Sequence, residues 1–524
     1  MERMKLIDIL KKRVFLKIVL ALISSIMLVL AYPGYSFNFL VWIGFVPILW
    51  AIEDASYGEV FWLSTLMGAV AFSLGYPWLN FMAEKFMGIP FPFSMLALFA
   101  YSVYHAQVFS LILLSYTYLK RNTGVSHLFL FPALTVALWS VIPTIFSFNL
   151  GNASTGFLVS LQAIEVLGVS ALDFVIAMTN VLIYRILIYG KIKIGRWSIA
   201  AAIAVIAIWF SYGYIALNSW DSEVKKWKPK KIGIVQPHRP ASHKILPPEE
   251  GYTIQYPLEM GLSVKLALQK PDIIIWPEGN YFGYHEDVNI RFAFLRTIKS
   301  FNIPMIIHDY PSEVYAHKTI YRNSSMWMKK DGTFGEFYHK RHLVPFGEYI
   351  PIIDYDNPFI KFLNLPPPVT PGVRATAFKT AGMIIQPMIC YEIAFSDLVA
   401  ETIGKKAKGK VIVLQSNDGW YGKGAQPYQH NSFLPLRAIE NRVSVVHVIN
   451  NGPSSIVLPS GRRHFLSDFW KRGTWAVEMP YNPDSGGAFF SRYPNLFLYI
   501  IQIILLIIFV YHLYGLFQES RRSI

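Results

Sequence analysis

The chain has 524 residues, of which 53% are hydrophobic and only 15% charged, with a formal net charge of +15. Soluble domains carry about 25% charged residues, so this composition excludes an ordinary soluble protein and points to a membrane. A single cysteine, Cys390, excludes an intramolecular disulfide framework and any Cys-based zinc or iron–sulfur site.

Apolar runs able to cross about 30 Å of hydrocarbon recur through the first part of the chain. They are read near 14–31, 37–52, 59–82, 93–118, 127–147, 172–190 and 197–217. An eighth, "LFLYIIQIILLIIFVYHLYGLF", covers 496–517. The first two are separated only by "AYPGYSFN", a tight hairpin, and the continuing series marks the first as an uncleaved helix rather than a signal peptide. At "NSWDSEVKKWKPKK" the composition turns polar. The expected organisation is an α-helical transmembrane bundle of about eight spans with one extramembrane α/β domain. Residues 1–221 hold seven spans, 222–490 the extramembrane domain, and 491–524 the last helix and a tail.

Lys and Arg sit at one set of chain turns. Arg3, Lys5, Lys11, Lys12 and Arg13 open the chain; Lys120 with Arg121, then Lys191, Lys193 and Arg196, then Arg521 and Arg522 follow at alternate connections. The other loops are nearly free of them, with Lys85 the main exception. An eight-span path places every basic cluster on the cytoplasmic side and residues 222–490 outside. The positive charge is then a topology signal and an attraction to anionic lipid, and nucleic-acid binding loses its support. A transporter would carry ionisable groups within its spans; these spans are nearly free of them, with His105 and Glu165 the visible candidates near or in the membrane region, Glu165 in an outer loop.

Within 222–490, "KKIGIVQP", "PDIIIWPE", "IPMIIHDY", "GMIIQPMIC", "KVIVLQSND" and "SVVHVINN" are apolar runs of strand length, and helix-like stretches separate them. Such runs fit strands buried on both faces of a layered α/β domain. Several end at reactive groups. "IIIWPEGN" delivers Glu278, and "MIIQPMIC" delivers Cys390 just before the helix-like "FSDLVAETI". "GEFYHKRHLVPFGEYIP" supplies Lys340 and, eight residues later, Glu348. A thiol attacks only as thiolate and needs a base to take its proton. A carboxylate can be that base, and an ammonium can stabilise both thiolate and oxyanion. A Glu–Lys–Cys trio therefore suffices for acyl transfer without histidine or metal.

The order "WPE", "HKRHLVPFGEYIP", "ICYE", "SNDGWYG" resembles the nitrilase (carbon–nitrogen hydrolase) superfamily. With "PYQH", "LRAIENR" and "NNG", it resembles more closely the membrane branch of that superfamily, the bacterial apolipoprotein N-acyltransferases, along essentially the whole chain. The resemblance implies a nitrilase-like αββα sandwich and assigns Glu278 as general base, Lys340 as oxyanion stabiliser and Cys390 as nucleophile. Glu348 matches a second essential glutamate, and Tyr391 and Glu392 match the two required residues after the nucleophile. It also implies a ping-pong reaction without cofactor or metal. A phospholipid, phosphatidylethanolamine by expectation, acylates Cys390, and the α-amino group of a diacylglyceryl-cysteine on an apolipoprotein takes the chain. The implied setting is the bacterial inner membrane, as a multi-pass monomer whose catalytic domain faces the periplasm. The alternative is a membrane-anchored nitrilase-type amidase with water as acceptor. Two departures are Gly279, where the family usually has Ser or Thr, and "PHRP" at 237–240, where it often has Gly-Asn.

Both substrates are lipids, so water must be kept from a thioester. Trp276, Trp420 and Tyr421 flank the catalytic segments as an apolar wall. The apolar, proline-rich "NPFIKFLNLPPPVTPG", 357–372, reads as a lid dipping Phe359, Ile360, Phe362 and Leu363 into the bilayer edge. His342 and His430 read as hydrogen-bonding residues rather than metal ligands.

Overall fold

The computed structural model describes residues 2–189, 196–242, 245–279, 283–315, 318–350 and 368–522. The chain divides into two compact units. One comprises Met1–Pro77, Met95–Ala216 and Tyr493–Ile524; the other comprises Trp78–Ser94 and Leu217–Arg492.

The first unit is helical. Among the described residues, six helices are long and apolar enough to cross a membrane: Lys12–Ala31, Tyr57–Gly75, Phe93–Asn122, Val169–Ile188, Trp197–Val224 and Leu496–Arg521. The expected spans at 37–52 and 127–147 are not among them, and proline and glycine explain why. The second begins as a helix over His127–Val141, about 22 Å long at 1.5 Å per residue. It stops because Pro143 holds Ile142 extended, with ψ 123°. The first is a 3-10 turn, Asn38–Trp42, and a short helix, Val46–Ala51, interrupted at Ile43-Gly44-Phe45. Broken backbone at membrane depth must find partners inside the protein. Here the buried Asn180 donates to the Val41 carbonyl (2.9 Å) and accepts from the Phe45 N–H (2.8 Å), while Ser24 Oγ accepts from the Ile48 N–H (2.9 Å).

Charges cluster at one end of this unit. Arg13 pairs with Asp54, Lys17 with Glu59 (3.0 Å), and Lys120 with Glu53, while Arg121 donates to the Ala55 carbonyl. Arg13 and Lys17 of the first helix and Lys120 and Arg121 at the end of Phe93–Asn122 therefore meet the segment 53–59. The chain leaves that end along the first helix and is back at it by residue 53, so the interrupted 37–52 stretch makes the return.

The second unit is a layered α/β domain. In chain order its strands are β1 (Lys228–Gln236), β2 (Ile273–Ile275), β3 (Met305–Asp309), β4 (Ser312–Tyr315), β5 (Lys318–Tyr321), β6 (Ser324–Met328) and β7 (Phe334–His339). These are followed by β8 (Phe378–Thr380), β9 (Met383–Ile389), β10 (Lys410–Ser416), β11 (Val445–Ile449), β12 (Ser455–Val457), β13 (Arg463–Leu466) and β14 (Gly473–Tyr481). One six-stranded sheet has the order β14-β1-β2-β3-β6-β7 and the other β13-β12-β11-β10-β9-β8. Their central strands are parallel, β1 to β2 to β3 and β9 to β10 to β11, which is what the continuous apolar runs require. The sheets face each other, β1 near β11 and β6 near β9. Helix Leu258–Ala267 packs on β1 and β14, and helix Gln426–Asn441 on β11 and β12. Helix Val288–Phe301 buries Ile290, Phe294 and Ile298 with Ile274, Met305 and Trp276 in one core. The result is the αββα arrangement.

Trp78–Ser94, read from sequence as the end of one span and the loop after it, packs with the α/β unit instead. Pro77 ends the preceding helix register, and Trp78–Lys85 forms a separate helix. Trp78 donates through its indole to Gln429 (2.9 Å), and Phe86 lies edge-on to Trp420 with centroids 4.6 Å apart.

Candidate active site

Parallel strands present their carboxyl ends along one edge, and loops there carry the reactive groups. Strand β9 ends at Ile389, and Cys390 follows with φ +51°, opening a 3-10 turn, Cys390–Ala394, that leads into helix Ser396–Ile403. A left-handed conformation at a residue with a Cβ costs about 1–2 kcal/mol, so surrounding contacts must impose it. Glu392 supplies most of them. Its buried carboxylate accepts from the N–H groups of Ile389 (2.8 Å), Arg341 (2.6 Å) and His342 (3.2 Å) and from the Tyr338 hydroxyl (2.9 Å). One side chain thus ties the thiol turn to the end of β7 and to the residues after Lys340. Burial raises the Glu392 carboxyl above the usual range, and the backbone donors oppose that rise.

The thiol turn is held from the other side by His430. Its Nε2 bonds the Cys390 carbonyl (3.2 Å) and its Nδ1 bonds Asp418 (2.9 Å). Both partners can only accept, so both ring nitrogens carry protons and the ring is an imidazolium. Burial, the largest single influence, would lower its pKa, but the Asp418 charge and hydrogen bond, the Cys390 carbonyl and the Glu278 charge together outweigh it, and the net shift is upward.

Replacing Glu392 by Gln should cost about 2 kcal/mol or more, because an NH2 group then faces backbone donors that have no other acceptor. We expect a lower unfolding temperature together with loss of acyl transfer, measured on the purified membrane protein. An unchanged unfolding temperature with lost activity would place Glu392 in the chemistry instead of the scaffold.

The other three groups converge through the β6–β7 hairpin. Ser324 pairs with His339, so the next residues out, Asn323 and Lys340, meet at the same sheet end, and the Lys340 N–H donates to the Asn323 carbonyl (2.8 Å). The Lys340 ammonium, only 1% exposed, lies 3.0 and 2.9 Å from the two oxygens of Glu348. Glu348 is fixed in turn by the Val344 N–H (2.8 Å) and by the Asn323 amide (2.8 Å). That amide also donates to Glu278 Oε1 at 2.9 Å. Glu278 is buried, on the loop three residues past β2.

The four groups form one electrostatic unit. Burial would lower the Lys340 pKa, but Glu348, Cys390 and Glu278 reverse this and hold it well above its ordinary value, so the ammonium persists. Burial pushes the Cys390 thiol up, the Glu278 charge adds to the rise, and Lys340 opposes it. At rest the sulfur is therefore a thiol beside an ammonium, and a base is needed to take its proton.

Of the other sequence candidates, Tyr421 is buried, within electrostatic reach of Cys390, and edge-on to Trp78. Trp420 packs on Phe86 and Tyr391 edge-on to Phe395 (5.0 Å), on which the His342 ring also lies. Trp276 does not form a wall. Its indole N–H donates to Ser263 (2.8 Å) and its ring meets Phe294 within the hydrophobic core shared with Ile274 and Met305. Phe359, Ile360, Phe362 and Leu363 lie outside the described residues. Among the described residues, no three His, Cys, Asp or Glu side chains converge as a metal site requires. Sequence reading missed Asn323 and His308, and both have a local signal. Asn323 directly precedes the strand "SSMWM", and His308 interrupts the apolar run "MIIHD".

Comparison with known proteins gives this geometry a family. Residues 24–182 match the apolipoprotein N-acyltransferase N-terminal domain, and residues 254–482 match carbon-nitrogen hydrolase. Among curated relatives, the apolipoprotein N-acyltransferase of Geobacter metallireducens is 25% identical over 511 residues, 94% of each chain. That of Chlorobaculum tepidum is 26% identical over 517 residues, 91% of this chain and 93% of the relative. The chain belongs to the apolipoprotein N-acyltransferase family. Like other members it joins apolar helices to a carbon–nitrogen hydrolase domain, and it is a multi-pass bacterial membrane protein. Among solved structures, an amidase of the nitrilase superfamily from Nesterenkonia aligns at 15% identity with a TM-score of 0.35, covering 49% of this chain and 92% of the amidase.

Proposed function

We propose that the protein moves a fatty acyl chain from a membrane phospholipid, phosphatidylethanolamine in the first instance, to the α-amino group of an N-terminal diacylglyceryl-cysteine on an apolipoprotein. The carrying observation is the chain's single thiol, held at φ +51° in electrostatic contact with Glu278 and Lys340. Glu278 takes the thiol proton as the sulfur attacks the ester carbonyl. The Lys340 ammonium stabilises the oxyanion that develops. Collapse of the tetrahedral intermediate releases lysophospholipid, which leaves with the proton from Glu278, and forms a thioester on Cys390. The lipoprotein amine then attacks the thioester, Glu278 accepts its proton, and the N-acylated product departs as the thiol re-forms. Glu348 keeps Lys340 charged and aimed, and Glu392 keeps the thiol turn in shape.

The gathering of Arg13, Lys17, Lys120 and Arg121 at one end of the helical unit supports a cytoplasmic location for that end. With the Lys and Arg pattern along the sequence, it favours the inner membrane with the α/β unit on the periplasmic side. The experiment is to incubate the purified protein with phosphatidylethanolamine and either a diacylated lipopeptide or water alone, followed by mass spectrometry. We expect one fatty acyl mass added to the lipopeptide amine and little free fatty acid without it. Equal release of fatty acid in both would make the protein a hydrolase.

A further inference from the structure

Behind Glu278 lies a buried histidine that the acyl-transfer steps do not use. His308, on β3, is 1% exposed. Its Nδ1 faces the N–H of Gly279, the residue after Glu278, at 3.3 Å, and its Nε2 lies 2.6 Å from Asn323 Oδ1. An amide N–H can only donate, so Nδ1 accepts and Nε2 holds the ring proton. That proton fixes the Asn323 amide with its oxygen toward His308 and its NH2 toward the carboxylates of Glu278 (2.9 Å) and Glu348 (2.8 Å), with the Tyr310 hydroxyl at 3.1 Å. The contacts close a ring: Gly279 to His308, His308 to Asn323, Asn323 to Glu278.

We propose that His308 is a positioning residue for the base: through Asn323 it keeps Glu278 ionised and pointed for proton transfer. This rests on Glu278 serving as the base. With the NH2 group inward, the amide donates to two anions and favours their charged forms. Without the His308 proton, the amide is able to turn its oxygen inward, where it repels both carboxylates and favours a protonated one. Burial lowers the His308 pKa, against the opposing influence of Glu278, Asn323 and Asp309, in keeping with the neutral tautomer that its two ring contacts require. The titratable groups facing Glu278 in this pocket include Glu348, on the same Asn323 amide, and His308, Lys340, Tyr310, Cys390, Tyr421 and His430.

The test is the pH profile of acyl-enzyme formation from phosphatidylethanolamine by the purified full chain, with Cys390→Ala as control. His308→Phe keeps the ring volume and removes both nitrogens. Its acid limb should move up by about one pH unit, giving roughly tenfold slower acylation on the acid side and recovery at high pH. In His308→Gln the side-chain amide reaches the Nε2 position and can donate to Asn323, so its limb should return toward the parental position. His308→Asn is one carbon too short and should behave like the Phe variant. A parental acid limb in His308→Phe overturns the proposal. If that variant does not fold, identical limbs in His308→Gln and His308→Asn overturn it. Absence of any Cys390-dependent acyl-enzyme in the parent would overturn the acyl-transfer reading instead.

Discussion

Cys390→Ser is expected to lower N-acylation of a lipopeptide by roughly 10,000-fold or more, the scale on which removal of a catalytic nucleophile acts. No second thiol exists in the chain to take over. The serine hydroxyl is far less acidic than the thiol it replaces, and the pocket already opposes anions there, since burial and the Glu278 charge both push the native thiol up. An ester on the substituted hydroxyl would also be a poorer acyl donor to an amine than a thioester. The fold should survive, because Ser and Cys differ little in volume and the left-handed turn is held by Glu392 and His430, not by the sulfur. The check is single-turnover acyl transfer together with a thermal unfolding scan. Activity within tenfold of the parent would contradict the role of the sulfur.

Lys340→Met should be nearly as severe, with a different signature. Met matches the stem of Lys but carries no charge, so the buried Glu278 and Glu348 carboxylates, both bonded to one Asn323 amide, lose the cation that pairs with Glu348 and acts electrostatically on Glu278. Leaving a buried ion without its partner costs about 3–5 kcal/mol, and one carboxylate escapes that penalty by taking a proton. The base is then partly neutralised and the developing oxyanion loses its donor, a loss worth about 100–1000-fold in turnover by itself. The expected outcome is a fall of roughly 1000-fold or more in acyl-enzyme formation, with the acid limb of the pH profile displaced upward. Lys340→Arg should not rescue it, since the ammonium sits 1% exposed and a planar guanidinium needs more room. Turnover within tenfold of the parent in Lys340→Met would remove Lys340 from the mechanism.

How much of this was legible in the sequence depends on what kind of interaction fixes each part. The strands that build the site were readable because each is buried on both faces: "KVIVLQS" and "PDIIIW" show continuous apolar runs, and reactive residues end them abruptly. The helical unit was readable wherever an apolar run is uninterrupted. It was misjudged at 37–52 and 127–147, where hydropathy stays high while Gly44 and Pro143 break the helix, and where Asn180, more than 130 residues away in sequence, satisfies the exposed backbone. Asn323 and His308 each carry a local mark, one before "SSMWM" and one within "MIIHD", but their importance lies in a hydrogen-bond ring spanning residues 278 to 348, which that mark does not convey. Trp276 was misplaced for a simpler reason. It lies two residues before Glu278 in sequence, but its ring belongs to the core with Phe294 and Ile298, a long-range contact that sequence proximity does not show. The attachment of Trp78–Ser94 to the α/β unit follows from aromatic packing of Trp78 and Phe86, which an apolar sequence cannot distinguish from a membrane span.

The most direct measurement is the intact mass of the purified protein after exposure to phosphatidylethanolamine alone, followed by a chase with diacylated lipopeptide. The account predicts one added fatty acyl chain, mapped to the peptide carrying Cys390 and absent from Cys390→Ser as a thioester, that leaves the protein as the acylated lipopeptide appears. Acylated lipopeptide forming at full rate with no adduct at Cys390, or an adduct there that the lipopeptide does not discharge, would contradict it.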